Sequence, residues 1–131
     1  MSGRNYLLDT NIIVDLFQGN EKTRHQIEEV KETIISVITL GELYYGAENS
    51  QRKEKHLKEL IKFNKICKVI EIDNQIAKRY GMIKKELKKI GKPIPENDIW
   101  IAATTIEHKL TIITKDRHFS LIDGIKLMLL E

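Results

Sequence analysis

The sequence has little cysteine, proline or aromatic residue and no long apolar run. Of its 131 residues, one is cysteine, two are proline and 6% are aromatic. The lone Cys67 has no partner in the chain for a disulfide, so a reducing, cytoplasmic setting is expected. The longest apolar run, residues 99–103, is too short to cross a bilayer, and residues 1–11 lack the pattern of a signal peptide. No membrane association is therefore expected.

Charged residues, by contrast, are plentiful. The chain is 41% hydrophobic and 31% charged, the balance of a folded protein, and its length fits one domain over residues 1–131. The net charge of +3 is too small to indicate nucleic-acid binding by itself. Seven basic residues are concentrated between positions 76 and 92, against one acid. This segment is either a solvated helix face or a phosphate-binding surface, and its candidate contacts are Lys84, Lys85, Lys88 and Lys89.

Strand and helix patterns alternate along the chain. Short segments rich in β-branched and apolar residues predict strands over residues 5–8, 33–36, 69–72, 110–114 and 125–130. Helices are predicted after Asp9, over residues 21–32, 39–48, 52–63 and 76–90, and again from Asn97. Strands separated by long helices favour a parallel sheet covered on both faces, because parallel strands need crossover connections. The expected fold class is α/β.

Four acidic residues occupy equivalent places in this pattern. Asp9 ends the first strand, and Asp116 follows the strand predicted at 110–114. Glu42 and Asp98 each fall in the first turn of a predicted helix. In a parallel α/β fold, strand carboxyl ends and helix amino ends share one edge of the sheet, where ligands bind. The four carboxylates are therefore expected to converge there.

Each of these acids also has a structural alternative. Asp9 could cap a helix, and Thr39 with Glu42 matches a capping box in which Glu42 bonds the Thr39 amide. Asp98 could favour the positive end of its helix, and Asp116 could be a turn residue. If these alternatives were correct, four carboxylates would still lie at one edge, and no lysine or arginine is an obvious ion-pair partner for each of them.

Convergence would require a cation. Two carboxylates about 4 Å apart repel by roughly 4 kcal/mol at an effective dielectric near 20. An all-carboxylate site suits Mg²⁺ or Mn²⁺, whereas zinc would favour histidine or cysteine. The four histidines show no ligand spacing and are expected to be ordinary surface residues: His25, His56, His108 and His118. Acids that hold Mg²⁺ can hydrolyse a phosphodiester without a nucleophilic side chain.

The same residues carry a resemblance that covers nearly the whole chain. Four ordered segments resemble the motifs of the PIN domain nucleases, and within them the VapC-type toxins of toxin–antitoxin pairs. The segments are YLLDTNII at 6–13, SVITLGELYYG at 36–46, PENDIWIAA at 95–103 and TIITKDRHF at 111–119.

The resemblance implies a role for each matched position. The acidic quartet that holds Mg²⁺ would be Asp9, Glu42, Asp98 and Asp116. Asp9 and Asp98 would be the leading candidates for direct metal ligands, and Asp116 would also contact the metal. Thr114 and Asn11 would support the site. The family's fold implies a five-stranded parallel sheet between helices. The resemblance also implies that the protein is an endoribonuclease acting on RNA, forms a homodimer and is silenced by a cognate antitoxin.

Three other functions remain open at this point. PIN nucleases also process RNA without being toxins. A phosphohydrolase of the haloacid dehalogenase type would use an aspartate like Asp9 as nucleophile, but it needs a second aspartate where this chain has Asn11. A receiver-like or metal-stabilised interaction module would need adjacent acids after the first strand, and Thr10 and Asn11 stand there instead.

Overall fold

The computed structural model describes residues 5–131, and residues 1–4 of the segment considered as a signal peptide lie outside this range. The strands are β1 Tyr6–Leu8, β2 Ile34–Ser36, β3 Lys68–Ile70, β4 Thr111–Thr114 and β5 Lys126–Leu129. The helices are α1 Thr10–Phe17, α2 Glu21–Gln26, α3 Val37–Glu48, α4 Lys53–Ile66, α5 Asn74–Lys89 and α6 Glu96–Glu107. A 3₁₀ turn covers Arg117–Leu121. The predicted α/β alternation is confirmed.

The five strands pair in parallel but do not form one continuous sheet. β4 lies between β1 and β5 in a three-stranded sheet, while β2 and β3 form a separate pair. The expectation of a single five-stranded sheet is therefore correct for strand number and direction but not for continuity. β1, β2 and β3 have three residues each, so each offers few positions for a ladder before the next helix begins.

Several helix boundaries differ from the sequence prediction, including the end of α4 at Ile66 and the start of α5 at Asn74. Two further differences, in α2 and α3, have a clear physical cause. α2 ends at Gln26 rather than near residue 32, because Ile27 leaves helical geometry and is buried in the core. α3 begins at Val37, two residues before the predicted start, and the Ser36 hydroxyl oxygen accepts from the Ile38 amide at 3.0 Å. Glu42 consequently lies in the second turn of α3 rather than the first.

Apolar side chains cover both faces of the three-stranded sheet. Leu7 and Ile112 belong to one core cluster, while their neighbours Leu8 and Ile113 belong to the other. Successive strand residues point to opposite faces, so this split shows that the strands are buried on both sides. Cys67 is half-buried against the second cluster. Within residues 5–131, every helix is too short or too polar to cross a membrane.

Helix α5 follows the predicted periodicity over most of its length. Ile76, Ile83 and Leu87 are buried, and Tyr80 stacks on Trp100 of α6 with ring centroids 3.9 Å apart. The predicted pattern fails at Ile90, because the helix ends at Lys89 and the Ile90 side chain is exposed. Packing of α5 on α6 fixes the first turn of α6, which carries Asp98.

Candidate functional site

Asp9 is a buried carboxylate, only 4% exposed, at the junction of β1 and α1. Its Oδ1 accepts from the Thr10 amide at 2.8 Å. Its Oδ2 accepts from the Thr114 hydroxyl at 2.6 Å and from the Asn11 side-chain amide at 3.2 Å. The cap suggested by the sequence is real, and the remaining contacts hold the carboxylate in one orientation at the end of the strand.

The two residues expected to support the site connect β4 to α1. The Thr114 hydroxyl oxygen, fully buried, accepts from the Asp116 amide at 3.0 Å. Asn11 donates to the Thr114 hydroxyl oxygen at 3.3 Å, and its own Oδ1 accepts from the Lys115 amide at 3.2 Å. Both residues contact Asp9, so the ends of β1 and β4 are joined through side chains as well as through the sheet.

Glu42 reaches the same edge from the second turn of α3. Its Oε1 accepts from the Thr10 hydroxyl at 2.6 Å, and its Oε2 accepts from the Asn97 side-chain amide at 3.3 Å. The Thr10 hydroxyl also lies 3.1 Å from that of Thr39. The capping-box alternative is wrong, because Ser36 rather than Thr39 caps the helix and Glu42 bonds to neighbouring elements instead.

Asp98 and Asp116 complete the group. Asp98 lies in the first turn of α6 and Asp116 two residues after β4, where its Oδ1 accepts from the His118 amide at 2.9 Å. Carboxylate oxygens of Asp98 and Asp116 lie within 4.8 Å of one another. The four predicted carboxylates line one cleft of about 370 Å³, together with Asp15.

The electrostatics of this cleft are unfavourable without a cation. Burial, followed by the negative charges of Asp9 and Asp116, raises the pKa of Asp98 from 3.8 to about 7. Burial also raises the pKa of Asp9, although the hydrogen bond from Thr114 works in the opposite direction. A divalent ion stabilises the charged form of carboxylates whose pKa is raised in this way. The carboxylate oxygens of the cleft therefore fit Mg²⁺ or Mn²⁺.

Asp15 is a fifth carboxylate of the cleft, and sequence reasoning missed it. The Lys115 ammonium donates to its Oδ2, and the Thr23 hydroxyl donates to the same oxygen at 2.6 Å. These contacts, Lys115 first, hold the pKa of Asp15 below its usual value. A hundred residues separate Asp15 from Lys115, so no local spacing could reveal the pair.

His118 is exposed, as expected of a surface residue, but it also contacts the acidic group. Its Nδ1 lies 3.0 Å from Oδ1 of Asp116. One ligand atom from each of Asp98, Asp116 and His118 lies within 4.8 Å of the other two. A search for spacing between histidines could not find this contact, because the partner of His118 is an aspartate two residues earlier.

The lysines of α5 do not reach the cleft. Lys84 donates to Glu96 at 3.0 Å and to the Tyr80 hydroxyl at 3.2 Å. Three others are exposed and form no ion pair within the described part of the chain: Lys85, Lys88 and Lys89. Together with Lys84 they form the basic face of α5, beside the helix that carries Asp98, and their exposure fits either a solvated face or a phosphate-binding surface.

Comparison with known proteins decides the family. A model of the PIN domain matches residues 6–125. The chain belongs to the PIN domain family. It is 34% identical over 113 residues to ribonuclease VapC2 of Haemophilus influenzae, covering 85% of this chain and 86% of the relative. It is also 34% identical over 127 residues to the tRNA(fMet)-specific endonuclease VapC of Salmonella typhimurium, covering 93% and 95%.

Solved structures agree with the sequence relatives. The VapBC2 complex of Rickettsia felis, bound to a DNA fragment from its promoter, matches with a TM-score of 0.87 and 28% identity. The match covers 96% of this chain and 98% of that one. The resemblance to PIN domain nucleases of the VapC type is thus confirmed.

Proposed function

We propose that this PIN domain protein is a Mg²⁺-dependent endoribonuclease and the toxin of a toxin–antitoxin pair. One observation carries the proposal. Four carboxylates from separate elements line one cleft, and Asp98 among them has a pKa raised to about 7 by burial and by its acidic neighbours. Perturbed groups of this kind are typical of functional sites, and a divalent cation resolves their repulsion.

Each carboxylate has a distinct part in the proposal. Asp9, Asp98 and Asp116 hold the ion, and Glu42 completes the catalytic group. A divalent ion supplies Lewis acidity that polarises a phosphodiester and activates water for in-line attack. Asn11 and Thr114 orient Asp9 through the hydrogen bonds described above, so that its carboxylate needs little rearrangement.

The substrate class is RNA, in single-stranded or loop regions. The named relatives are a ribonuclease and a tRNA(fMet)-specific endonuclease. Unstacked nucleotides expose their backbone and bases to a shallow acidic cleft in a way that a duplex does not. The basic face of α5 would contact phosphates away from the scissile bond and offset the repulsion between RNA and the acidic cleft, with Lys84, Lys85, Lys88 and Lys89 as candidate contacts.

Membership of the same family supports a cognate antitoxin as the protein partner. A further solved relative, 30% identical with a TM-score of 0.72, is a toxin–antitoxin complex from Klebsiella pneumoniae. A groove of about 310 Å³ adjoins the acidic cleft and shares Thr10 and Glu42 with it, and its lining includes the exposed side chains Val14 and Phe17. An antitoxin segment lying in this groove would cover the acids. A homodimer and a cytoplasmic location belong to this proposal as well.

The decisive test is cleavage of RNA by purified protein with and without Mg²⁺. Asp9→Asn and Asp98→Asn should each lower the rate at least about 100-fold, the usual scale for losing a group that stabilises transition-state charge. Asp123→Asn is the matched control, since Asp123 is exposed and lies outside the cleft. The antitoxin encoded beside this chain should inhibit the wild type when added to the same assay.

Two results would contradict the nuclease activity, and a third would contradict the toxin role. Equal cleavage by the wild type and both cleft variants would show that the acids are structural. Tight Mg²⁺ binding without cleavage of any RNA would instead favour a non-enzymatic metal-binding module. Cleavage that no neighbouring gene product inhibits would leave the nuclease in place and favour RNA processing over a toxin role.

A further inference from the structure

We propose that His118 supplies a nitrogen ligand to the ion held by Asp98 and Asp116, so that the site prefers transition-metal dications such as Mn²⁺ to Mg²⁺. This inference rests on the proposed function, because it concerns the same cleft. It goes further by naming a ligand outside the acidic quartet and the chemical consequence of that ligand.

The geometry allows the three side chains to meet one ion. Ligand atoms at about 2.1 Å from an ion lie at most about 4.2 Å from each other, and about 3 Å apart when adjacent. The ligand atoms of Asp98, Asp116 and His118 lie within 4.8 Å of one another, and the Asp116–His118 pair is already 3.0 Å apart. Small side-chain rotations are sufficient to close the set.

The backbone keeps the imidazole in this position. The Asp116 carboxylate caps the 3₁₀ turn by accepting from the His118 amide, which brings the two side chains to the same side of the turn. Phe119, the next residue, is fully buried and anchors the turn to the core. The His118 side chain itself is 56% exposed, so it can rotate toward the cleft without disturbing the packing.

The nitrogen donor changes which ion is favoured. Mg²⁺ takes oxygen ligands in near-ideal octahedral geometry, whereas first-row transition-metal dications bind imidazole well. A site of four carboxylates does not discriminate strongly between Mg²⁺ and Mn²⁺. Adding one imidazole raises the affinity for the transition metal and leaves that for Mg²⁺ almost unchanged.

The test measures metal binding directly and does not depend on RNA cleavage. Untagged protein is titrated with Mn²⁺ and with Mg²⁺ by calorimetry, and the Mn²⁺ complex is examined by pulsed electron paramagnetic resonance for coupling to ¹⁴N. The variant is His118→Asn, because asparagine can still donate a hydrogen bond to Asp116 but lacks the imidazole nitrogen. His25→Asn is the matched control, since His25 is exposed, contacts Glu28 three residues later and does not line the cleft.

The wild type and the His25→Asn control should show ¹⁴N coupling, and His118→Asn should lose it. The Mn²⁺ dissociation constant should rise about tenfold or more in His118→Asn, while that for Mg²⁺ changes less than about twofold. Mn²⁺ binding without ¹⁴N coupling in the wild type would overturn the inference and leave His118 as a residue that only positions Asp116. If Asp98→Asn binds Mn²⁺ as tightly as the wild type, the acidic site itself is wrong and the proposed function fails with it.

Discussion

The two ends of the acidic cleft solve the problem of buried negative charge in opposite ways. At one end, Asp15 is paired with the Lys115 ammonium and has a lowered pKa. At the other, Asp98 faces Asp9 and Asp116 and has a pKa raised to about 7. Burial is the largest cause of the raised pKa of Asp98, and the charges of its acidic neighbours add to it, whereas the bond from Lys115 dominates at Asp15. The difference between the two ends therefore comes from burial as well as from the partners.

This contrast separates structural charge from functional charge. A carboxylate with its own lysine contributes to the fold and needs nothing further. A carboxylate surrounded by other acids lowers the free energy of unfolding. Such groups are typical of sites that bind a positively charged ligand. Comparing the two ends by mutation is therefore the most direct way to test the proposed ion site.

The largest stability effect is expected from Asp15→Asn. The substitution removes a charged partner from Lys115 and weakens the bond to Thr23, so the free energy of unfolding should fall by about 1 to 3 kcal/mol. Urea unfolding with a chelator present measures this loss. Asp9→Asn is the counterpart at the other end and should lose less, because the change relieves repulsion while the amide keeps the size of the side chain.

The metal affinity should show the reverse order. Asp15→Asn should change the Mg²⁺ dissociation constant less than about threefold, whereas Asp9→Asn should weaken binding strongly. The double variant Asp15→Asn with Lys115→Met should be less destabilised than the sum of its parts, because no unpaired charge remains. Equal effects of the two aspartates on both stability and affinity would abolish the distinction between the two ends.

A smaller effect is expected from pH. The raised pKa of Asp98 means that the folded protein binds more protons than the unfolded chain, whose ordinary value is 3.8. This group's contribution to stability is fully present below about pH 4 and is lost as the pH rises toward 7. Because Asp98 is only half-buried, solvent screening reduces the size of the effect to about 1 kcal/mol.

The measurement compares the wild type with Asp98→Asn, since other titrating groups then cancel. In a chelator, the variant should gain about 1 kcal/mol relative to the wild type between about pH 5 and about pH 8. Saturating Mg²⁺ should reverse the order at the higher pH by binding only the wild type tightly. A difference that does not vary with pH would show that neither burial nor the acidic neighbours destabilise the charged form of Asp98.

The sequence was sufficient to predict the convergence of the acids, because strand ends and helix starts meet at one edge of a parallel sheet. That rule placed Asp9 and Asp116 correctly and found the first turn of α6. It failed for the start of α3, where a serine at the strand end caps the helix earlier than the pattern suggested. Boundaries of this kind depend on one hydrogen bond, which composition does not reveal.

Contacts across the fold were beyond the sequence. The Asp15–Lys115 pair joins α1 to the residue after β4, and each residue alone is an ordinary charge. The same holds for the bond from Asn97 to Glu42, which depends on where α6 docks against α3. The division of the sheet into three and two strands likewise depends on packing, because each strand pattern fits either arrangement.

The comparison between paired and unpaired charge also applies to lysines, and here the expected effect is smallest. Lys84 is paired with Glu96, whereas Lys85 and Lys89 are exposed without an ion pair in the described chain. Lys85→Gln and Lys89→Gln should each lower the salt dependence of RNA binding by about 0.7 in log–log slope, the value for one lost contact to a single strand. Lys84→Gln should lower it less, since its ammonium already has a carboxylate partner.

Binding is best measured in the Asp98→Asn background, which prevents cleavage during the titration, at a fixed concentration of Mg²⁺. The variant that replaces Lys84, Lys85, Lys88 and Lys89 together sets the upper limit of the effect. An unchanged slope in that variant would mean that the basic face of α5 is only solvated. A loss at Lys84 as large as at Lys85 would show that an ion pair within the protein does not keep a lysine from binding phosphate.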